Sequence, residues 1–207
     1  MRRTLAIDCS TEACSVALFE GGGLVAGDWR LLGRGHAEQL VPMISALPGR
    51  GEAQRIAVSL GPGSFTGVRI GLAAARALGL AWQAEVLGYP TLALVAAMAR
   101  ETHPGPVTVA MTGGHGEWFV QDFGADGLPE DVLRSQTPED ALKGIHHSVA
   151  AGSKAKELLE SGRAGQVTLD ILPDARKFPL VPPALLTADL SPIYGRAPDA
   201  RLPGAAA

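Results

Sequence analysis

The fold is decided by residues 4–29, which read TLAIDCSTEACSVALFEGGGLVAGDW. Apolar runs at Thr4–Cys9, Cys14–Glu20 and Leu24–Trp29 predict three strands. The second run alternates in polarity, and Gly21–Gly23 is a turn signal between the second and third runs. The short connections predict an antiparallel meander at the start of the chain.

Helices and strands then alternate up to residue 100. The pattern predicts, in order, helix His36–Leu47, strand Ile56–Leu60, helix Phe65–Gln83, strand Val86–Leu87 and helix Pro90–Arg100. Three hairpin-connected strands followed by this alternation favour a mixed sheet with helices on its faces. The order resembles the ribonuclease H-like half-domain that is repeated in actin, Hsp70 and sugar kinases.

The second half of the chain gives weaker signals. Val107–Met111 and Glu117–Phe123 are predicted strands of a second hairpin, and Thr137 is a predicted N-cap followed by Pro138. We therefore predict two domains, residues 1–103 and a short, loop-rich second copy at 104–207.

Composition excludes several classes of protein. Of 207 residues, 46% are hydrophobic, but there is no apolar run of 18 residues or more, and Asp8 interrupts the apolar run that follows Arg2 and Arg3. A net charge of −3 argues against a protein that binds nucleic acid without a partner protein. Without an export signal, Cys9 and Cys14 are expected to be reduced thiols of a cytoplasmic protein with no membrane contact.

Two turns could bind phosphate. Asp8–Thr11 combines a carboxylate at a strand end with hydroxyls, which suits Mg²⁺ and phosphate, but Asp8 could equally cap its own turn amides. Gly61–Gly67 joins a strand to a helix, where backbone amides favour anions. It lacks the lysine of a P-loop, so a tight packing turn is the alternative.

Small residues recur every four positions in the long predicted helix, at Gly67, Gly71, Ala75 and Gly79. Such a stripe lets another element approach closely, and three glycines in a helix need a compensating interaction. Packing within the domain and packing across a subunit interface both remain open. The five histidines include no His-x-x-x-His pair, so no metal site is predicted.

Three blocks resemble the TsaB (YeaZ) family of bacterial subunits of the tRNA threonylcarbamoyladenosine machinery: Asp8–Leu18, His36–Pro42 and Gly61–Gly71. Ser191–Arg196 resembles the family's C-terminal element more weakly. The resemblance implies an actin-like (ASKHA), two-lobed α/β fold with a short second lobe. It also implies a non-catalytic partner of the transferase TsaD and the ATPase TsaE. Together they would modify N6 of adenosine 37 in tRNAs that read ANN codons, with tRNA bound only through the complex.

The resemblance also implies site residues. No catalytic residue, metal or cofactor is expected, because the place of the transferase's histidine pair reads Tyr89-Pro90-Thr91-Leu92-Ala93. A vestigial nucleotide site would comprise Asp8, Ser10, Thr11, Gly61, Gly63 and Ser64. The two N-terminal helices would form the face of a homodimer or of a heterodimer with TsaD, through Leu40, Met43, Ile44, Leu47, Gly67, Val68, Gly71, Leu72, Ala75 and Gly79.

Departures from the family keep an alternative open. The acid and arginine expected on the first hairpin of the second lobe are missing from Met111–Phe119. The alternative is a nucleotide-dependent actin-like enzyme in which Asp8 organises Mg²⁺ and the Gly61–Gly67 turn holds phosphate. A metallopeptidase would lack ligands.

Overall fold

The computed structural model describes residues 2–159 and 166–195. Ten strands and five α-helices lie within these residues. The first lobe contains β1 Arg3–Asp8, β2 Ala13–Glu20, β3 Gly23–Leu31, α1 His36–Ser45, β4 Arg55–Ser59, α2 Phe65–Trp82 and β5 Glu85–Tyr89. After α3 Thr91–Thr102, the second lobe contains β6 Val107–Thr112, β7 Trp118–Phe123, β8 Arg134–Gln136, α4 Pro138–Lys143, β9 Val149–Ala151, α5 Ala155–Leu159 and β10 Val167–Leu169.

Each lobe is built on its own five-stranded mixed sheet, and the two sheets have the same topology. The first has strand order β3-β2-β1-β4-β5, and the second has the equivalent order β8-β7-β6-β9-β10. In each, the first three strands pair antiparallel and the last two add in parallel. This repeat confirms the predicted actin-like fold with two lobes. The second copy is reduced, since three of its strands have only three residues.

Predicted element limits hold to within a few residues in the first lobe. The predicted helix His36–Leu47 ends earlier, at Ser45, because Leu47 takes the extended backbone expected of a residue before proline. The fifth strand is longer than predicted, because its full length pairs with β4 from Arg55↔Glu85 to Ser59↔Tyr89. α2 begins where the Ser64 side chain accepts a hydrogen bond from the Gly67 amide.

α3 lies between the lobes and is buried on nearly all sides. Leu94 packs with the first sheet, and Leu92 and Val95 pack with the second. A helix that is apolar all round needs partners on every face, and the two sheets supply them. The chain also returns after the second sheet, placing Ala175 and Val181 in the core of the first lobe.

Within the described residues, no helix combines the length and the apolar character that crossing a membrane requires.

Candidate functional site

The loop between β1 and β2 forms one end of a cleft between the lobes. The buried side chain of Asp8 holds this loop in place through hydrogen bonds. The Asp8 side chain is buried, and its Oδ1 accepts hydrogen bonds from the Ser10 amide (2.9 Å) and the Ser10 hydroxyl (2.6 Å). The Tyr89 hydroxyl donates to Oδ2 at 3.1 Å. Burial raises the pKa of Asp8 above its usual range, although these hydrogen bonds oppose the rise.

The Gly61–Gly67 turn packs directly against this loop. The Ser64 amide donates to the carbonyl of Ser10 at 2.6 Å. A Cβ atom on Gly63 would lie 2.0 Å from that same oxygen, and one on Gly67 would lie 2.0 Å from the carbonyl oxygen of Cys9. No side chain fits in so short a distance, so the backbone packing of the turn requires both glycines.

The cleft has a volume of about 760 Å³, which is enough for a drug-sized ligand. Its walls come from both lobes and from the C-terminal segment at residues 193–195. The first lobe contributes Ser10, Thr11, Glu12, Gly33, Gly63, Ser64, Phe65, Val68 and Arg69, and the second contributes Met111, Thr112, Gly113, Gly114, His115, Phe119, Ser135 and Ser153.

Neutral groups dominate this lining. Glu12 is its carboxylate and Arg69 its arginine, and the Arg69 guanidinium already lies 3.5 Å from the Phe65 ring centre. Ser10, Gly63 and Ser64 line the cleft at the first-lobe end, but the Ser10 hydroxyl is turned away from it toward Asp8. Such a surface suits neutral or apolar groups better than a polyphosphate with its counterion.

The structure brings part of the predicted nucleotide site together. Ser10, Thr11, Gly63 and Ser64 line the cleft. Asp8 and Gly61 lie beneath it, where the Gly61 carbonyl accepts a hydrogen bond from Thr91 N–H. Asp8 therefore fulfils the capping role that the sequence left open, and nucleotide binding stays a prediction.

The small-residue stripe packs within the first lobe. An added Cβ on Gly71 would contact Val58, Cys9 and Ile7 of the sheet, and one on Gly79 would collide with Val86. The other predicted interface residues are also buried beneath α1 and α2: Leu40, Met43, Ile44, Leu47, Gly67, Val68, Leu72 and Ala75. Their side chains cover the sheet, and only the outward side of an amphipathic helix can meet a partner, so a helix-mediated interface at α1 and α2 stays a prediction.

Sequence reasoning missed the cleft's second-lobe wall. Gly152 and Ser153 form a turn after β9, and a Cβ on Gly152 would lie 2.3 Å from the Ala110 carbonyl oxygen. A glycine and a serine after a short apolar run was the available signal. Phe119 and Tyr194 were also missed as cleft residues, and Arg196 of the predicted C-terminal element lies outside the described residues.

Tyr89, the last residue of β5, and Thr91, the first residue of α3, are held in side-chain hydrogen bonds. Tyr89 donates to Asp8, and the Thr91 hydroxyl lies 2.5 Å from that of Ser59. Across residues 2–159 and 166–195, no three histidine, cysteine, aspartate or glutamate side chains are grouped as metal ligands.

The repeated sheet and the cleft between its two copies define a two-lobed protein of the actin-like class. The family model for TsaD, tRNA N6-adenosine threonylcarbamoyltransferase, matches residues 30–169, more than half of the chain. The tRNA threonylcarbamoyladenosine biosynthesis protein TsaB of Haemophilus influenzae is 37% identical over 70% of this chain and 69% of its own length. The TsaB of Escherichia coli is 33% identical over 68% of this chain, and the match spans 62% of that relative.

Among solved structures, YeaZ from Pseudomonas aeruginosa is similar with a TM-score of 0.74 and 28% identity. The similarity covers 87% of this chain and 90% of that one. The chain thus belongs to the family shared by TsaD and TsaB, and within it to the TsaB (YeaZ) group.

Proposed function

We propose that this chain is a non-catalytic subunit of tRNA threonylcarbamoyladenosine biosynthesis in the cytoplasm. It would act with TsaD and TsaE in the threonylcarbamoylation of N6 of adenosine 37 in tRNAs that read ANN codons. Membership of the TsaB group supports a role for this chain in that biosynthetic pathway. With a net charge of −3, the chain would meet tRNA through its partners.

The observation that carries the non-catalytic role is the closed polar network around Asp8. Three hydrogen bonds occupy both carboxylate oxygens, and the side chain is almost fully buried. A carboxylate that organises Mg²⁺ must present oxygen atoms to the metal and its waters. Here those atoms serve Ser10 and Tyr89.

The outward sides of α1 and α2 support a helix-mediated interface. Leu80 is 84% exposed and Val41 is 56% exposed. Ala73, Ala77 and Ala81 are exposed on the same side of α2 as Leu80. Arg69 and Arg76 are also exposed on this side, and small and apolar residues beside arginine are typical of protein interfaces. We propose that this face joins two copies of the chain when it is alone and joins TsaD in the complex.

The function is tested by reconstitution on unmodified tRNA. TsaD, TsaE, ATP and threonylcarbamoyl-adenylate are supplied with wild-type chain, with Asp8→Asn or without the chain. We expect modification to require the chain and Asp8→Asn to support it like wild type, since its amide can retain the hydroxyl contacts. Equal modification without the chain would refute the proposal.

ATP hydrolysis distinguishes the second candidate, a nucleotide-dependent enzyme. The observation in its favour is that the cleft is lined by Ser10, Gly63 and Ser64. Hydrolysis by the pure chain that is abolished in Asp8→Ala would establish this alternative. We expect none above the buffer rate.

The interface is tested with two charge substitutions. Leu80→Asp should convert the homodimer to a monomer in sedimentation experiments, because burying an unpaired carboxylate is unfavourable. Val132→Asp is the matched control, since Val132 is 78% exposed in the second lobe. A dimer that survives Leu80→Asp, or is lost in both variants, would contradict the α1–α2 face.

A further inference from the structure

The C-terminal segment from Leu190 to Gly195 crosses from one lobe to the other at the cleft. The Arg76 side chain on α2 donates to the Leu190 carbonyl at 3.0 Å, and the Ile193 amide donates to the Leu60 carbonyl at 2.8 Å. Two residues further on, Gly195 lies so close to Phe119 that an added Cβ would be 2.3 Å from its ring. Residues 193–195 line the cleft itself. We call residues 190–195 the strap.

A solvent-exposed cluster holds the strap on the first lobe. The rings of Phe65 and Tyr194 lie 5.8 Å apart, and the Arg69 guanidinium packs on Phe65 and donates to the Tyr194 hydroxyl at 3.2 Å. Phe65 is 56% exposed and Tyr194 is 46% exposed. Cation–π and aromatic contacts at exposed sites are weak individually, so this cluster can open without disturbing the core.

The chain just before the strap is anchored more firmly. Thr187 and Gly88 exchange two backbone hydrogen bonds, of 3.0 and 2.7 Å, beside the buried end of β5. Further upstream, Ala175 and Val181 are buried in the first-lobe core. Beyond Thr187, Leu190 and Ile193 pack on the edge of the first-lobe core but are only partly buried, so the strap is held less deeply than the segment before it.

We propose that the strap opens and closes the interlobe cleft, and that Phe65, Arg69 and Tyr194 form its latch. Closed, the strap seals one side of a cleft whose lining is mainly apolar and carries few charges. Opened, it admits a neutral ligand with an apolar or aromatic body, the chemistry that this lining can bind. The proposal does not depend on the role in tRNA modification.

Residue-resolved hydrogen exchange tests the latch. In Tyr194→Ala, we expect the Ile193 amide to exchange about tenfold faster, while the Thr187 amide keeps its wild-type rate. Tyr194→Phe retains the ring contact and loses only the hydroxyl, so its effect should be smaller. Arg30→Ala is the control, because Arg30 is an ion-paired arginine of the same lobe that contacts Asp28 and Gln39.

Binding of the neutral apolar dye N-phenyl-1-naphthylamine tests the gate. Arg76→Ala removes the hydrogen bond to the Leu190 carbonyl of the strap and leaves the cleft lining unchanged, so a severalfold gain in dye affinity over wild type and Arg30→Ala would support an opened strap. An unchanged Ile193 exchange rate in Tyr194→Ala, or an acceleration shared by Thr187, would overturn the latch. Faster exchange at Ile193 without any gain in dye binding would overturn the gate.

Discussion

The two lobes share one strand order but differ in how much structure surrounds it. In the first lobe an 18-residue helix connects the fourth and fifth strands, and in the second lobe the described part of that connection contains the five residues of α5. β3 has nine residues and its counterpart β8 has three. The comparison shows that the topology survives when its outer elements shrink, provided that the central strands remain paired.

The turn after the fourth strand makes similar backbone contacts in the two lobes. The Ser64 amide donates to the Ser10 carbonyl in the first lobe, and the Lys154 amide donates to the Ala110 carbonyl at 3.0 Å in the second. Each turn also contains a glycine, Gly63 or Gly152, whose Cβ would collide with that same carbonyl oxygen. A feature present in both copies is a requirement of the packing, so glycine in this turn is not by itself evidence of phosphate binding.

The largest effect is expected from Gly67→Ala. Its Cβ would lie 2.0 Å from the Cys9 carbonyl oxygen, so the N-terminus of α2 must move away from the sheet. We expect the free energy of unfolding to fall by about 3 kcal/mol in urea titrations, in the upper range for overpacking.

Gly71→Ala is the matched control on the same stripe. Its Cβ would lie 3.6 Å from the nearest atom, which is an ordinary contact, and alanine favours helix by about 1 kcal/mol. The variant should be as stable as wild type or more stable. If both substitutions destabilise equally, close approach to the sheet is not the reason for the stripe.

Much of the first lobe was predictable because its elements are long enough to show a period. The alternating residues at Cys14–Glu20 are such a local signal, and so is the periodic run that begins at Phe65, whereas the Ser64 cap of α2 was not predicted. The inward direction of the stripe was not predictable, because a helix with small residues on one side gives the same pattern against a sheet or a partner. Three-residue strands such as Val149–Ala151 are set by their neighbours and carry no period of their own.

Leu158→Ala should give the next largest effect, and it should stay within the second lobe. Leu158 is fully buried on α5, and the stability of helices in proteins comes mainly from such packing. We expect a loss of about 2 kcal/mol, at the lower end for leucine truncation. Hydrogen exchange should accelerate at Ala150 in β9 and remain slow at Ala57 in β4. Equal acceleration at both would show that the lobes unfold as one unit.

The smallest effect on stability is expected from the buried carboxylates, which have different partners in the two lobes. In the second lobe, Asp122 is paired with the Arg134 guanidinium at 3.0 Å. Asp8 in the first lobe accepts hydrogen bonds from the uncharged Ser10 amide, Ser10 hydroxyl and Tyr89 hydroxyl, and its burial raises its pKa. The folded state therefore holds the Asp8 proton more tightly than the unfolded state does. Its contribution to stability is complete below the usual aspartate pKa and is lost as the pH rises through the raised value.

Tyr89→Phe should extend this pH-dependent loss of stability to higher pH. Removing the Tyr89 hydroxyl removes a hydrogen bond that lowers the pKa of Asp8, so the loss of stability should extend to higher pH. Above that range the variant should be less stable than wild type by about 1 kcal/mol, the net value of one hydrogen bond. Urea unfolding at several pH values measures both effects, and Asp8→Asn is the control because it has no carboxylate to titrate. If Asp8→Asn and wild type show the same pH dependence, Asp8 does not titrate differently in the folded and unfolded states, and its burial does not distinguish the two lobes.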